Sequence, residues 1–547
     1  MTASGPRRLT AVLPWVTAPL IFGLLSLCLG QDANWDLRNY HFYNPYAWLH
    51  QRLDYDMAPA QVANFYNPLL FVPYYFLVTT VPPRAAAFLL GAAQGLNLPL
   101  LAGIGRSAMA GERKSPPWLP LLLGLLGLLG AGSISELGTM FADNLISLPV
   151  LGGIWLLTAN YRRLLDPSRP ALPLAAAGGV LFGLAAGLKQ PAAVFAVGWC
   201  VAFLIVPVLL RRRVALAFVF GLGVLAGIAA TGGFWMVELW QRYGNPLFPY
   251  FNRLFASPMA SLSNYRDPRF LPRSLIEALL FPFLIVRDPH HTAEIFFRDL
   301  RFPLFAILLA TAGLIRYRRF RNWQEPVAVS AAAPGDRKGL FLLCGALAAY
   351  AVWLRLFAIY RYLLPLEMLA PLGIWLLISG LPLRQAAKYR LAAACGLLLV
   401  ITLRPGTWGR VPFGDDFFGV TPPPIADPAR TMVLMTGVAP MAYVIPFFPA
   451  PVRFVRIQSY FTGPSPTPNG FDRRMRQLVA AHRGPLYVLF SSNEGESAAA
   501  SLAAYGLALD AGNCRTLKTH VEEHLDTSLS FCAVARLDSS LARGERR

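Results

Sequence analysis

A chain of 547 residues in which 55% are hydrophobic and only 14% charged has too little polar surface to cover a water-soluble globule. Its formal net charge of +20 would suit a nucleic-acid partner, but the basic residues fall in short clusters between apolar runs, such as Arg211-Arg-Arg213 and 316–321, where they orient a protein against anionic lipid. Composition therefore excludes a soluble enzyme and a nucleic-acid binder, and leaves a polytopic membrane protein.

Taking runs of about 17 to 25 mainly apolar residues as crossings predicts about eleven helices, at 9–30, 84–108, 116–133, 143–160, 171–188, 191–210, 214–234, 301–315, 338–356, 361–380 and 389–403. Arg7-Arg8 before the first run also fits a secretory signal, but no small-x-small cleavage site closes it, which predicts a retained anchor. Leu27 occupies the place where a lipoprotein box needs a small residue before Cys28, so lipidation is not expected. With these spans, Arg7-Arg8, Arg113-Lys114, Arg162-Arg163, Arg211 to Arg213, the 316–321 cluster and Arg384, Lys388 and Arg390 share one side, the cytoplasm. Counting 67–81 as a crossing would export nearly all of these clusters, so it reads as a juxtamembrane or re-entrant helix. The segment 271–286, interrupted by Pro272 and Pro282 and carrying Glu277, is demoted likewise. An odd number of crossings then puts the 31–83 loop and the C-terminal tail outside.

Two soluble stretches and one biased segment interrupt this pattern. The 235–300 loop is rich in aromatics, prolines and arginines, and 324–338, on the inside, in alanine and polar residues. After Arg404 the texture changes: strand-like 431–437, 452–457, 485–490 and 530–537 alternate with helix-like 471–482 and 494–505, which predicts a small α/β domain. The expected organisation is a transmembrane module over 1–403, with outer loops 31–83 and 235–300, and an extracytoplasmic α/β domain over 404–547. Cys28, Cys200, Cys344 and Cys395 lie in apolar helices, where a thiol is a small hydrophobe. Cys514 and Cys532 lie in the tail, where a disulfide and two buried thiols are equally open readings.

The densest chemistry follows the first span: Gln31-Asp-Ala-Asn-Trp-Asp-Leu-Arg-Asn-Tyr-His-Phe-Tyr-Asn-Pro45. Asp36 is a candidate general base. At α-helical spacing Tyr40 and Tyr43 share its face while His41 lies about 140° round, and Arg38 and His41 are candidate phosphate contacts. An interfacial helix with an aromatic belt and an aspartate N-cap fits the same spacing. Glu136 and Asp143, at the outer end of the third span and the start of the fourth, are a second acidic pair suited to a divalent cation or an acceptor, although Asp143 also fits a helix cap. Lys189, Arg355 and Arg361 are basic residues kept on the outer side against the charge rule, for a phosphate pocket or for snorkelling to headgroups.

The segment around Trp35-Asp36, with Asp56-Met-Ala-Pro-Ala60, Tyr66-Asn-Pro68 and Gly244-Asn-Pro-Leu-Phe-Pro-Tyr250, resembles bacterial integral-membrane glycosyltransferases of the GT-C superfamily. The layout is similar to protein O-mannosyltransferases and lipid A aminoarabinose transferases. The resemblance covers the chain to about residue 300 and the tail less closely. It implies a seven-helix module whose first outer loop carries the catalytic aspartate, here Asp36, and whose second carries an acidic residue, here Asp143. It further implies a polyprenyl-phosphate-linked sugar as donor, inverting transfer to an envelope glycan, lipid or protein, and phosphate contacts at Lys189 and Arg361. The chain departs from the commonest pattern in having a single Asp36 where a pair is usual, which leaves a divalent cation open. A transporter or flippase of lipid-linked sugars would share the many helices and the small-xxx-small spacing at Gly183 and Gly187, but would favour mid-membrane charges and pseudo-repeats. An envelope scaffold that binds through the tail is the third class.

Overall fold

The computed structural model describes residues 5–110, 115–166, 170–265, 267–321 and 336–537; Arg113-Lys114 and nearly all of 324–338 lie outside them. In chain order the helices are α1 (Gly5–Leu27), α2 (Tyr43–Leu49), α3 (Val72–Thr80), α4 (Pro83–Gly95), α5 (Asn97–Ala108), α6 (Leu119–Leu128), α7 (Ala131–Ser135), α8 (Asp143–Ala159), α9 (Tyr161–Leu165), α10 (Leu172–Leu188), α11 (Ala193–Phe203), α12 (Leu210–Tyr243), α13 (Asn252–Phe255), α14 (Leu275–Arg287), α15 (Arg301–Arg321), α16 (Asp336–Leu356), α17 (Leu364–Ser379), α18 (Gln385–Thr402), α19 (Gly470–Ala481), α20 (Gly495–Ala503) and α21 (His520–Glu523). The strands are β1 (Gln31–Asp32), β2 (Arg410–Val411), β3 (Met432–Met435), β4 (Arg453–Arg456), β5 (Leu486–Ser491), β6 (Leu507–Leu517) and β7 (Leu529–Arg536). The chain divides into two compact units, one of Met1–Leu29, Phe88–Phe234 and Asp267–Trp408, the other of Gly30–Ala87, Trp235–Arg266 and Gly409–Arg547.

The second unit holds the five-stranded sheet, in the order β4-β3-β5-β7-β6. β4, β3 and β5 run parallel, and β7 and β6 add antiparallel. Parallel strands are buried on both faces, and all four residues of β3 are buried. α19 crosses back from β4 to β5 behind a capping box in which Asn469 and Asp472 satisfy each other's backbone N–H. Cys514 of β6 and Cys532 of β7 are joined by a disulfide. The tail is part of a larger body: residues 30–87 pack with the sheet through Arg52, which donates to Asp56 at 2.7 and 2.8 Å and to the carbonyls of Ala450 and Val452. Asp56 in turn accepts from Tyr43 Oη and from the Phe454 N–H. Tyr66 and Tyr250 share a 2.6 Å hydroxyl contact, and Trp235 Nε1 donates to the Phe65 carbonyl.

The first unit is helical. Among the described residues, four helical stretches are long and apolar enough to cross a membrane, Pro83–Ala108, Leu210–Tyr243, Lys338–Leu356 and Tyr360–Ser379, and six shorter apolar helices have 10–17 residues. Length alone thus supports fewer crossings than about eleven. The run 116–133 divides because Gly130 adopts an extended conformation (φ −70°, ψ 154°) between α6 and α7. α11 stops at Phe203, ahead of Pro207, which has no N–H to continue it.

α10 and α12 meet backbone to backbone. A methyl at Gly179 would lie 2.0 Å from the Phe220 carbonyl oxygen, one at Gly183 2.1 Å from that of Val224, and one at Gly227 2.4 Å from that of Val180. The small-xxx-small spacing read at Gly183 and Gly187 therefore serves helix packing, which needs no transport function to explain it. Gly183→Ala is expected to cost about 1–3 kcal/mol by overpacking this seam. Gly221→Ala on the same α12, with nothing within 4 Å of the new methyl, is expected to be neutral or slightly stabilising. Unfolding of both variants by SDS titration checks the difference.

Candidate active site

Three of the expected residues meet in the helical unit. The loop between α7 and α8 turns at Ala142, at φ 65° and ψ 0°, and delivers Asp143 to the first turn of α8. Lys189 ends α10 with an extended backbone (φ −142°, ψ 105°). Its Nζ donates to Asp143 Oδ2 at 2.7 Å and to the Phe141 carbonyl at 3.0 Å. The N-cap of α8 is Ala142, so Asp143 is its first residue rather than its cap, and it pairs with Lys189. Arg361 comes from the 3-10 turn Tyr360–Leu363 ahead of α17. Its guanidinium stands 4.9 Å from the Phe141 ring centre and 5.2 Å from that of Tyr362, while Lys189 Nζ is 5.3 Å from Tyr362. Asp143, Lys189, Arg361 and Tyr362, with Ile146 and Phe195, line one small pocket. Aromatic faces and a carboxylate hold two cations close together here, and a phosphate oxygen is the ligand such cations suit.

The loop itself is tied by side chains. Gln94 Oε1 accepts the Gly138 N–H at 2.8 Å, Asn144 Nδ2 donates to the Ser133 carbonyl at 3.0 Å, and Asn97 Nδ2 donates to the Asn144 carbonyl at 2.9 Å. Glu136, the other half of the acidic pair, is fully buried, and neither carboxylate oxygen has a hydrogen-bond partner among the described residues. Burial above all, and then the Asp143 charge, hold its carboxyl well above the ordinary range, against the pull of Lys189 and Arg361. Glu136 was read from the sequence as half of an acidic pair, whereas Tyr362, one tyrosine beside Arg361 in an apolar stretch, gave no sequence signal.

Asp36, Arg38, Tyr40 and His41 belong to the sheet-bearing unit. Leu37–His41 forms a π-helical turn, so the 3.6-residue spacing does not hold there. Tyr40 Oη reaches Asp36 Oδ2 at 3.4 Å, whereas Tyr43 turns to Asp56. Asp36 is buried at 9% exposure and makes no helix-capping hydrogen bond. Arg38 is held inside the unit: Nη1 donates to Glu522 at 2.9 Å and Nε to the Ala33 carbonyl at 3.2 Å. Glu522 also accepts from Tyr443 Oη at 3.2 Å. The His41 ring lies 4.2 Å from Phe71 in a stack and 4.3 Å from Tyr40 edge-on. Arg355, at the end of α16, is exposed and is not among the residues lining the Lys189 pocket.

A larger cavity of about 340 Å³ lies among α14, α15, α16 and α17, lined by residues such as Leu279, Phe305, Leu343, Leu347, Leu366 and Leu369. Tyr350 is the only titratable side chain in its lining. It offers an apolar volume and no acid–base chemistry.

The raised carboxyl of Glu136 has a stability consequence. The folded chain keeps this proton above the pH at which the unfolded chain loses it, so stability is fully present below the ordinary glutamate range and falls as pH rises toward the folded value. Glu136→Gln is expected to remove this component, so that its melting temperature in detergent falls less than the wild type's between pH 5 and pH 8. Equal losses would mean that Glu136 is ionised in the folded protein.

No family model matches the chain, and no curated protein does. Among solved structures the chain is similar to ArnT from Cupriavidus metallidurans, a crystal structure bound to undecaprenyl phosphate, at 12% identity and a TM-score of 0.45, with 96% of this chain and 98% of that chain covered.

Proposed function

We propose that the protein is a glycosyltransferase of the bacterial inner membrane that moves a sugar from a polyprenyl-phosphate-linked donor to an envelope glycan, lipid or protein. Its spans are proposed to cross eleven times, as the hydropathy and charge pattern predict, with the sheet domain and the site on the extracytoplasmic side. The observation that carries the reading is the convergence of Lys189 and Arg361 on one pocket with Asp143. α17 supplies Arg361, Tyr362 and Pro365 at or just before its start to that pocket, and Leu366, Leu369 and Gly373 to the apolar cavity. A ligand with a phosphate head and a hydrocarbon tail matches both.

In the proposed step the acceptor hydroxyl oxygen bonds to the anomeric carbon, the bond from that carbon to the phosphate oxygen breaks, and the hydroxyl proton passes to a base, the role that the sequence reading proposes for Asp36. Lys189 and Arg361 take up the charge that develops on the leaving phosphate. A phosphate leaves without acid help, so one base and a cationic pocket suffice, unlike the paired carboxylates of sugar hydrolases. The proposal assigns no step to a divalent cation: among the described residues no three His, Cys, Asp or Glu side chains gather.

Sugar release from a radiolabelled polyprenyl-phosphate hexose or pentose, followed with the full chain in lipid nanodiscs, tests this. Lys189→Met and Arg361→Gln are each expected to lower kcat about 100-fold, and Asp36→Asn about 100- to 10,000-fold. Unchanged transfer in Asp36→Asn removes the base from the mechanism. Unchanged transfer in both cation variants removes the pocket.

A further inference from the structure

A second cluster of charge lies deeper in the helical unit. Glu367 sits within the apolar stretch Tyr360–Ser379 and is fully buried. Asp299 and Arg301, next to it, are 2% exposed each. Ionisable groups inside a membrane bundle are costly and want a reason. Here the reason is the start of α7. The first turn of any helix leaves backbone N–H groups with no partner inside the helix. In α7, Ala131 N–H goes to Asp299 Oδ2 at 2.9 Å, Gly132 N–H to Glu367 Oε2 at 3.0 Å, and Ser133 N–H to Glu367 Oε1 at 3.0 Å. Ser133 Oγ adds a bond to Glu367 Oε1 at 2.8 Å. Arg301 pairs with Asp299, approaches Glu367 Oε1 at 3.9 Å, and donates to the Leu126 carbonyl at the end of α6 at 2.5 Å. The approach leaves no room for a side chain: a methyl at Gly130 would lie 1.7 Å from Glu367 Oε1, and one at Gly132 2.9 Å from Oε2.

α7 leads directly into the loop that ends at Asp143. Glu367 stands on α17, whose preceding turn carries Arg361 and Tyr362. The loop and the head of α17 are therefore tied at two places, by Glu367 to the α7 backbone and by Arg361 over the Phe141 ring. We infer that Glu367, braced by Asp299 and Arg301, is a positioning residue that clasps the start of α7 and so sets Asp143 and Phe141 against Lys189 and Arg361. The inference rests on the reading of that pocket as the phosphate site only for its functional consequence; the clasp itself is a statement about the loop.

Hydrogen–deuterium exchange and farnesyl phosphate binding, both measured on monodisperse full-length protein in nanodiscs, test the two parts separately. Without ligand, Glu367→Gln is expected to raise exchange in 130–144 at least about tenfold while α10 and α11 stay at the wild-type rate. It is also expected to weaken farnesyl phosphate binding about 10- to 100-fold per folded molecule, since a shift of about 1 Å has that effect. Ser133→Ala, which removes one of the bonds to Glu367, is the milder variant should Glu367→Gln fail to fold, and is expected to change both readings in the same direction. Exchange that stays at the wild-type rate in 130–144 overturns the clasp. Raised exchange with unchanged binding overturns its role in positioning the pocket. Should the wild type not bind farnesyl phosphate at all, the phosphate reading fails, and the exchange result still decides the clasp.

Discussion

The arrangement in the helical unit depends on backbone N–H groups that have no water to turn to. α7 begins inside the bundle, and each buried donor left unmet would cost about 1–3 kcal/mol. The three at Ala131, Gly132 and Ser133 would together cost about 3–9 kcal/mol, comparable with the whole stability of a domain. Asp299 and Glu367 meet them with carboxyl oxygens, and Arg301 pairs with Asp299 and approaches Glu367. A five-residue helix that could not stand alone thereby becomes a rigid lead into the turn at Ala142. Gln94, Asn97 and Asn144 complete the loop by the same means, side chain to backbone.

The sheet-bearing unit solves the same problem for an irregular segment. The regular elements within residues 30–66 are short, and their polar side chains meet each other's backbone: Asn34 accepts from the Leu37 N–H, while Asn39 and Asn44 donate to the carbonyls of Ala60 and Ala63. Arg456 reaches the carbonyls of Pro59, Gly437 and Ala439. Several polar side chains of 31–45 thus make hydrogen bonds within this unit. Asp56 closes a buried network with Arg52, and Arg38 pairs with Glu522. Asp36 accepts from the Tyr40 hydroxyl at 3.4 Å.

What the sequence made legible follows from which signals are local. Four strands and the helices at 470–481 and 495–503 stand within a few residues of their expected places, because period-2 and period-3.6 patterning are local. β6 was missed: Asp510-Ala-Gly-Asn-Cys514 reads as a turn, and the register with β7 does shift between Leu509 and Cys514. Lys189 and Arg361 were visible because retained cations on one side break a charge rule. Arg301 and Glu367 were passed over because averaging hydropathy along 301–315 and 361–380 dilutes one charge among many apolar neighbours. The expected Asp36–Tyr40–Tyr43 face came from assuming 3.6 residues per turn, and the π-helical turn at Leu37–His41 changes that count. The pairing of Cys514 with Cys532 is a contact between strands that no spacing rule supplies.

Charge counting around the pocket explains why Glu136 is so thoroughly buried. Its lining carries Lys189 and Arg361 against Asp143. As long as Glu136 keeps its proton, the neighbourhood has one more cation than carboxylate; an ionised Glu136 would cancel that excess. In a pocket lined by Phe195, Ile146 and Tyr362, a unit of charge is weakly screened and acts strongly on its neighbours. A neutral acid beside the Asp143–Lys189 pair therefore leaves that excess of positive charge in place, while Asp143 holds Lys189. Burial of Glu136 and the net positive charge of the pocket lining are in this sense one physical effect, and both rest on the loop that α7 begins.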